Sequence, residues 1–376
     1  MALRIVADEN IELTPALQQL AATLVRLPGR EIQRQDLLEA DVLLVRSVTP
    51  VDRSLLEGTP VNFVGSATAG VDHIDCDHLT AKGVRFCASP GSNANAVVEY
   101  VMSVITRCER LRNLMAGEGA GIIGYGHIGR RLASLLQTLG ANVWVWDPWC
   151  DVPENMRSPS LSHTLSQSTI SLHASLHNRA PWPSKAMIDV AAFTADALPR
   201  LFINAARGEL VTASALDYLL ENEVQVALDV WPDEPAIAAP LLTRVACGTP
   251  HIAGYSYEAK AAATDALAAA IAAHWSLPVS PVPVQPTNAA KLELSVEGMD
   301  PVDCLGALFS AAYDPITDYR QLCLHDHEGV TPDKFDQLRR EYPMRRELRG
   351  QSVVLCGSLK SSSMTAIFDA LGVNAV

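Results

Sequence analysis

The sequence predicts an α/β protein with two Rossmann-like, doubly wound parallel-sheet domains and a small C-terminal α+β domain. Three observations support this prediction: a glycine-rich turn at 121–129, short apolar strands that alternate with helices up to residue 275, and a proline-rich segment at 277–286 where the pattern changes. Strands that alternate with helices in this way are typical of parallel sheets. At 376 residues the chain is too long for one hydrophobic core, so two or three domains are expected.

The individual elements follow from the spacing of apolar residues. A short continuous apolar run predicts a buried strand, whereas apolar residues spaced three and four apart predict a helix. The predicted strands are 3–7, 42–45, 62–65, a strand ending at 123, 143–146, 170–172, 201–204, 224–228, 292–296, 319–325 and 352–356. The predicted helices are 15–25, 94–110, 130–139, 210–221, 258–275, 302–313 and 364–371.

Composition argues against several classes of function. The net charge is −13, from 29 basic and 42 acidic residues, so nucleic acid is not an expected partner. No uninterrupted apolar run is long enough to cross a membrane, so no membrane segment is expected. Eight cysteines lie apart without a Cys-x-x-Cys pair, which predicts reduced thiols, a cytoplasmic location and no zinc site. His325 and His327 flank Asp326 but lack further ligands at suitable spacing, so no metal site is predicted.

A glycine-rich sequence follows the strand that ends at Ile123. Gly124, Gly126 and Gly129 have the G-x-G-x-x-G spacing of a dinucleotide-binding turn. The first glycine allows a tight turn, the second lets the backbone approach a pyrophosphate, and the third lets helix and strand pack closely. The N-terminus of the following helix attracts the negative charge. The spacing alone also occurs in glycine-rich turns of other α/β proteins, so the prediction depends on the strand before it and the helix after it.

Asp147 ends the next apolar strand, where a carboxylate would grip the diol of a ribose. The same carboxylate would repel a 2′-phosphate. No arginine follows to bind such a phosphate, because the next residues are Pro148 and Trp149. The sequence therefore predicts NAD, rather than NADP, as the cofactor.

Three polar residues follow apolar runs in the second half of the chain: Arg207, Glu234 and His251. In an open parallel sheet, ligands bind outside the carboxyl ends of the strands. There an arginine can hold a substrate carboxylate, a histidine can exchange a proton with a hydroxyl, and a carboxylate can orient the histidine. Each residue also has a structural explanation of its own. Arg207 could start a helix or lie in a turn, Glu234 could cap a turn before Pro235, and His251 could be an ordinary loop histidine. Together, in a chain that binds NAD, they favour a hydride-transfer site.

The motifs, in their order along the chain, resemble the D-isomer-specific 2-hydroxyacid dehydrogenases. They are the glycine turn with Asp147, Asn-x-x-Arg-Gly at 204–208, Asp-Val-x-x-x-Glu-Pro at 229–235 and Pro-His at 250–251, and the match covers about residues 3–275. The branch of that family that oxidises 4-phospho-D-erythronate has similar loops and a similar C-terminal extension, which most members lack. The segments that resemble it are 45–49, 67–73, 90–100, 249–255, 335–342 and 345–347.

The resemblance implies a reaction and a domain organisation. The reaction is oxidation of 4-phospho-D-erythronate to 2-oxo-3-hydroxy-4-phosphobutanoate with NAD, a step toward pyridoxal 5′-phosphate. The substrate would be a small anionic phosphorylated hydroxy acid. Residues 1–93 with 255–280 would bind substrate, residues 94–254 would bind NAD, and residues 287–376 would form a homodimer.

The resemblance also implies site residues, with Arg207, Glu234 and His251 in the catalytic roles. The cofactor contacts would be Gly124, Gly126, His127, Ile128, Gly129, Asp147, Ala174, Ala205, Arg207, Asp229 and Gly254. The substrate contacts would be Arg46, Ser47, Thr68 and Tyr255.

Two features concern the anionic ligands. The substrate brings about three negative charges near neutral pH, and Arg46 is one candidate counter-charge. Arg345, Arg346 and Arg349 form a basic cluster, and we hypothesise that one of them reaches the phosphate, with a solvated helix face as the alternative. Ala174 stands where the family usually has a threonine that touches the cofactor, so a contact there is made by the backbone or is absent.

Two other functions stay open at this point. One is a related dehydrogenase acting on another acid, such as glycerate or 3-phosphoglycerate, against which the tail and the loop at 67–73 argue. The other is a non-catalytic, NAD-sensing binding protein, against which the intact set of Arg207, Glu234 and His251 argues.

Overall fold

The structure is a computed structural model that describes residues 3–278, 291–324, 329–356 and 363–375. It divides into two compact units: unit 1, which is Met1–Asn93 with Ser256–Thr287, and unit 2, which is Ala94–Tyr255 with Asn288–Val376. Most of the proline-rich segment and the pair His325 and His327 lie outside the described residues.

Strands and helices alternate along most of the described chain. Up to residue 93 they are β1 (Leu3–Asp8), α1 (Pro15–Leu20), β2 (Ala21–Leu27), β3 (Val42–Val45), α2 (Arg53–Leu56), β4 (Phe63–Ser66), α3 (Cys76–Lys82) and β5 (Arg85–Ala88). From 94 to 275 they are α4 (Ala94–Arg107), α5 (Leu111–Met115), β6 (Gly119–Ile123), α6 (His127–Thr138), β7 (Asn142–Trp146), α7 (Leu161–Leu165), β8 (Thr169–Leu172), β9 (Leu201–Asn204), α8 (Ala213–Glu221), β10 (Gln225–Leu228), β11 (Ile237–Ala238), α9 (Ala239–Leu242), β12 (Cys247–Gly248) and α10 (Tyr257–Trp275). From 291 onward they are β13 (Lys291–Ser295), α11 (Pro301–Ala312), α12 (Pro315–Cys323), β14 (Gly329–Val330), α13 (Pro332–Arg340), β15 (Ser352–Cys356), α14 (Ser363–Leu371) and β16 (Asn374–Ala375).

Unit 1 contains a five-stranded parallel sheet in the order β2-β1-β3-β4-β5. The alanine-rich helix α10 returns to this sheet and packs its Leu267 and Ile271 against Leu3, Ile5 and Leu44. The close fit follows from small residues. A Cβ added to Gly65 of β4 would lie 2.7 Å from Leu44 and 3.1 Å from Leu267.

The prediction of one helix over 15–25 was wrong beyond residue 20. Helix α1 ends at Leu20, and β2 begins at Ala21 and pairs in parallel with β1. Without β2, the outer edge of β1 would present unpaired backbone groups. Thr23 and Val25 fit an edge strand, since β-branched side chains favour extended backbone.

Unit 2 contains a six-stranded parallel sheet in the order β12-β10-β9-β8-β6-β7. The chain enters at β6 and then proceeds to β7 on one side and to β8 on the other. This reversal of strand order opens a crevice at the carboxyl ends of the strands, which is the usual ligand site of such sheets. The loops that follow β6, β7, β9, β10 and β12 all meet at this edge.

The C-terminal segment adds a three-stranded parallel sheet, β13-β15-β16, within unit 2. Helix α11 packs on α4 and α14 packs on α6, so Phe309 and Met364 share one core with Ile105 and Leu132. Among the described residues, no helix has the combination of length and apolarity needed to cross a membrane.

The predicted strand at 319–325 was also wrong, because residues up to 323 form helix α12. Asp314 caps this helix and Pro315 occupies its first turn, where a missing N–H costs nothing. Tyr319 and Leu322 are three residues apart and face the same side. The Tyr319 hydroxyl donates to the carbonyls of Leu242 at 2.7 Å and Val245 at 3.1 Å, which fixes the helix on the main sheet.

Candidate active site

Two of the three glycines in the turn after β6 are required by packing. Gly124 has a φ of +99°, and a Cβ there would lie 2.5 Å from the backbone nitrogen of Ala174. A Cβ on Gly129 would collide with the carbonyl oxygen of Gly124. A Cβ on Gly126, in contrast, would have nothing within 4 Å. The turn is therefore tight on the protein side and open on the side from which a ligand would approach.

The start of helix α6 faces the same open side. Gly126 is its N-cap, and no side chain within the described residues makes a capping hydrogen bond there. The first N–H groups of a helix lack partners in the helix itself and carry partial positive charge. His127 is exposed and Ile128 is half-buried. A pyrophosphate fits this end of the helix, because it would accept the uncapped N–H groups.

Asp147 follows β7 and is tied to the glycine turn. Its carboxylate accepts hydrogen bonds from the backbone N–H groups of Tyr125 at 2.7 Å, Trp149 at 2.8 Å and Cys150 at 3.1 Å. A carboxylate has about four acceptor positions, so capacity remains for a ribose hydroxyl. Ala174 and Ala205 follow β8 and β9 and are half-buried.

Arg207 follows β9 and starts a short turn. The side chain of Asn204 organises this turn by donating to the Arg207 carbonyl at 2.9 Å and accepting from the Ala206 N–H at 3.1 Å. The Arg207 guanidinium donates to the Ala206 carbonyl at 2.7 Å and is partly exposed. A guanidinium at this edge can make a two-pronged contact with a carboxylate.

Glu234 and His251 form a direct pair, although they follow different strands. Glu234 lies in the loop after β10, and His251 lies after β12, the neighbouring strand. The His251 Nδ1 and Glu234 Oε1 are 2.7 Å apart, and the two side chains are 27% and 26% exposed. The Trp231 N–H donates to Glu234 Oε2 at 3.2 Å. With Nδ1 bonded to the carboxylate, Nε2 is the ring nitrogen left for a substrate.

Asp229 holds the loop that carries His251. Its carboxylate is buried and accepts from the Thr249 hydroxyl at 2.7 Å, the Ile252 N–H at 2.7 Å and the Ala253 N–H at 3.0 Å. His251 itself has a φ of +55°, a left-handed backbone that costs on the order of 1 kcal/mol or more for a residue with a side chain. The cofactor contact expected of Asp229 stays a prediction, while its structural role in the loop is visible.

Trp231 hydrogen-bonds both the loop of Glu234 and the loop of His251. It is 1% exposed, and its indole N–H donates to the Thr249 carbonyl at 2.9 Å. A Cβ on Gly248 would lie 2.7 Å from the Trp231 ring. This tryptophan links the loop of Glu234 to that of His251, and sequence reasoning missed it together with Thr249.

The environment of Glu234 favours its ionised form. Burial alone would raise the pKa of Glu234, but the charge of His251, the hydrogen bonds from His251 and Trp231, and the charge of Arg339 outweigh it. The pKa of Glu234 therefore lies below its usual value. An ionised carboxylate accepts a hydrogen bond from the Nδ1–H of His251 and stabilises the imidazolium when it forms.

This lowered pKa predicts an acid-dependent stability. A carboxyl group whose pKa is lower in the folded state stabilises the protein above its unfolded pKa, about 4.3 for glutamate, and this contribution is lost as pH falls through the folded pKa. We expect Glu234→Gln to lower the free energy of unfolding by about 1 kcal/mol at pH 7. Thermal unfolding across pH 2–7 should show this deficit shrink below about pH 4.

Glu209→Gln is the matched control, because Glu209 is exposed. Its stability should follow the wild-type pH dependence. A deficit for Glu234→Gln that stays constant from pH 7 down to acid unfolding would contradict the depressed pKa.

The predicted substrate residues of unit 1 follow neighbouring strands. Arg46 and Ser47 come directly after β3, and Thr68 comes shortly after β4. The Thr68 hydroxyl lies 2.7 Å from that of Ser66 and donates to the Gly70 carbonyl at 2.8 Å. Ser66 also bonds His73 Nε2 at 3.1 Å. These bonds order the loop, and the contacts with substrate stay predictions.

Tyr255 and Gly254 belong to unit 2, and the C-terminal segment contacts Tyr255. The Tyr255 ring lies 5.8 Å from the ring of Tyr342, edge to face. The guanidinium carbon of Arg339 lies 5.7 Å from the centre of the Tyr255 ring. Sequence reasoning did not name Arg339 as a site residue, although the segment 335–342 that contains it resembles the family.

Arg345 is buried. The alternative interpretation of the basic cluster, a solvated helix face, is therefore wrong for this residue. It is 7% exposed, and its guanidinium donates to the carbonyls of Ala253 at 2.5 Å and Ala96 at 3.1 Å. It also stacks over Tyr313 at 4.6 Å. The arginine thus supports the loop after His251 from inside unit 2.

The carboxyl edge of the unit 2 sheet thus collects the predicted residues of that unit. Arg207, Glu234 and His251 follow the adjacent strands β9, β10 and β12, and the glycine turn and Asp147 follow β6 and β7. Among the residues that the structure describes, no group of three or more histidine, cysteine, aspartate or glutamate side chains has a metal-binding arrangement.

Comparisons with known proteins agree with this architecture. Residues 97–253 match the family model of the D-isomer specific 2-hydroxyacid dehydrogenase, NAD binding domain. The erythronate-4-phosphate dehydrogenase of Pseudomonas paraeruginosa is 38% identical, with 100% of each chain covered, and that of Hahella chejuensis is 38% identical, with 99% of each covered.

Solved structures share the fold at lower identity. An NAD-bound 3-phosphoglycerate dehydrogenase from Entamoeba histolytica is 20% identical, with a TM-score of 0.62, and the match covers 73% of this chain and 96% of that one. A D-lactate dehydrogenase from Aquifex aeolicus is 20% identical, with a TM-score of 0.59, and the match covers 73% and 96%. Given the full-length identity and the matched domain, the chain belongs to the D-isomer-specific 2-hydroxyacid dehydrogenase family.

Proposed function

We propose that this protein oxidises 4-phospho-D-erythronate to 2-oxo-3-hydroxy-4-phosphobutanoate with NAD, a step toward pyridoxal 5′-phosphate. The observation that carries the reaction class is the 2.7 Å pair of His251 and Glu234, which follow β12 and β10, beside Arg207, which follows the adjacent β9. The substrate is inferred from relatives named for erythronate 4-phosphate, whose similarity includes the C-terminal segment.

His251 is the proposed general base. Its Nε2 takes the proton of the C2 hydroxyl while C2 loses a hydride, so the alcohol becomes a ketone. Glu234, bonded to Nδ1, stabilises the imidazolium that results. Arg207 binds the substrate carboxylate and polarises the C2 oxygen. These residues are expected to contribute charge stabilisation and proton transfer, the two needs of this oxidation.

NAD, when bound, supplies the hydride acceptor. The residues proposed to hold it are the backbone of Gly126, His127 and Ile128 for the pyrophosphate and Asp147 for the adenosine ribose. The open face of Gly126 and the uncapped start of α6 support this placement. At Ala174 only a backbone contact is proposed.

The domain roles extend the same proposal. Unit 1 is proposed to bind substrate through Arg46, Ser47 and Thr68, and the sheet of unit 2 is proposed to bind NAD. The C-terminal segment is proposed to form a homodimer. This assignment rests only on the resemblance of residues 335–342 and 345–347 to one branch of the family.

The deciding experiment is a substrate comparison with purified full-length protein. We expect NADH-linked oxidation of 4-phospho-D-erythronate, with and without a keto-acid acceptor, at a kcat/KM about 100-fold above those for D-glycerate and 3-phospho-D-glycerate. A higher value for either of those acids would indicate a different dehydrogenase. Bound NAD without turnover of any of them would favour the NAD-sensing alternative.

A further inference from the structure

Helix α13 of the C-terminal segment places an arginine next to the loop of His251. The guanidinium carbon of Arg339 lies 5.7 Å from the centre of the Tyr255 ring and 5.7 Å from that of Phe335. Phe335 is one helical turn earlier and is 1% exposed, so the arginine side chain lies along a buried aromatic surface. Its charge is therefore held beside Tyr255, which lies four residues along the chain from His251.

We propose that Arg339 is a positioning residue of the active site, which acts on the reaction through Tyr255 and Glu234. The proposal rests on the proposed function, because it assigns a role in the same hydride transfer to the C-terminal segment. It differs from the roles of Arg207 and His251, since Arg339 need not touch the substrate. Its expected effects are orientation of Tyr255 and control of the charge of the His251–Glu234 pair.

Several charged groups interact with the pair. Glu234 interacts with the charges of His251 and Arg339, His251 interacts with the buried carboxylate of Asp229, and Arg339 interacts with Tyr255, Glu234 and Asp336. A cation near Glu234 favours the ionised carboxylate, in line with the lowered pKa of Glu234. The same cation disfavours an additional proton on the pair. Arg339 thus keeps Glu234 ionised, so that it can accept the hydrogen bond from His251 Nδ1. The same charge lowers the affinity of the His251–Glu234 pair for an additional proton.

Removal of the Arg339 charge should change the proton affinity of the His251–Glu234 pair in a defined direction. In Arg339→Gln the pair loses a nearby cation, so it binds a proton more tightly and becomes protonated at higher pH. A protonated His251 cannot accept the C2 hydroxyl proton. The acid limb of the profile of kcat/KM against pH should therefore move upward, by about 0.5–1 pH unit for a partly exposed charge at this range.

Three variants separate charge from packing. Arg339→Lys keeps the positive charge and should retain the wild-type acid limb. Arg339→Gln removes the charge and should shift it. Arg340→Gln is the matched control, because Arg340 is exposed and is the next residue of α13. Its replacement changes the net charge of the protein by the same amount. It should leave the profile unchanged.

A second readout does not depend on turnover. Full-length protein with saturating NAD and carboxyl-labelled glutamate is titrated by ¹³C NMR, with Glu234→Gln to assign the Glu234 signal. Arg339→Gln should raise the pKa of Glu234, whereas Arg340→Gln should not. If 4-phospho-D-erythronate is not oxidised at all, the proposed function fails while this titration still decides the role of Arg339.

The outcomes that overturn the proposal are specific. A folded Arg339→Gln protein whose Glu234 titration and acid limb match the wild type removes it. Equal shifts in Arg339→Gln and Arg340→Gln would indicate a general charge effect and also remove it. An Arg339→Lys protein that behaves like Arg339→Gln would show that packing, rather than charge, explains the effect.

Discussion

Replacement of His251 with alanine or asparagine is expected to lower kcat for 4-phospho-D-erythronate by roughly 10³-fold. Neither side chain can accept the C2 hydroxyl proton at neutral pH. Asparagine matters as the second variant, because His251 has a φ of +55° and asparagine tolerates a left-handed backbone better than alanine does. The dissociation constant of NAD should stay within about twofold, since the loss is confined to proton transfer.

Single-turnover kinetics and NAD titration by fluorescence measure these two quantities. His78→Ala is the matched control, because His78 lies in helix α3 of unit 1 and has no predicted role. Its kcat should equal that of the wild type. A folded His251→Asn enzyme that keeps a tenth or more of the wild-type kcat would exclude His251 as the general base.

Asp229→Ala is expected to cause the largest loss of stability. The change leaves the N–H groups of Ile252 and Ala253 without their acceptor, whereas the Thr249 hydroxyl keeps the Tyr100 hydroxyl as a partner. Each buried unsatisfied group costs about 1–3 kcal/mol, so we expect a total of about 2–6 kcal/mol. For a unit of this size that corresponds to a fall in Tm of about 10 °C.

The same variant should lose most of its activity at temperatures where it is folded. The three bonds hold the loop in which His251 has its left-handed backbone, and without them the 2.7 Å contact to Glu234 is not maintained. Calorimetry and kcat measured well below Tm test both effects. Asp217→Ala is the control, because its exposed carboxylate pairs with Arg244 at the surface, where such pairs contribute about 0–1 kcal/mol. Wild-type stability in Asp229→Ala would refute the role of these bonds.

The fold class and the main sheet of unit 2 could be predicted from sequence because their signals are local. The strand that ends at Ile123, the turn from Gly124 and helix α6 lie within about 20 consecutive residues, and each position has a backbone requirement of its own. The predicted positions of β9 and β15 match the observed strands for a similar reason, since short apolar runs bounded by polar residues leave few alternatives.

The two wrong elements depended on contacts with distant parts of the chain. Residues 21–25 are strand β2 because β1 offers a parallel edge, and no local pattern shows that edge. Helix α12 replaces a predicted strand because Tyr319 reaches carbonyls more than 70 residues earlier in the chain. Propensity is a weak guide wherever such long-range contacts compete with it.

The sequence by itself determined the chemistry that this chain can offer: a dinucleotide turn, an acidic residue for a ribose, and an arginine, a glutamate and a histidine after successive strands. Tertiary structure alone decided which of these groups touch. It joined Glu234 to His251, buried Asp229 under the loop, and brought Arg339 and Arg345 against that loop from the C-terminal segment. The physical reason is that residue type sets what a side chain can do, whereas pKa and hydrogen-bond geometry depend on neighbours that only the folded chain brings within a few ångströms.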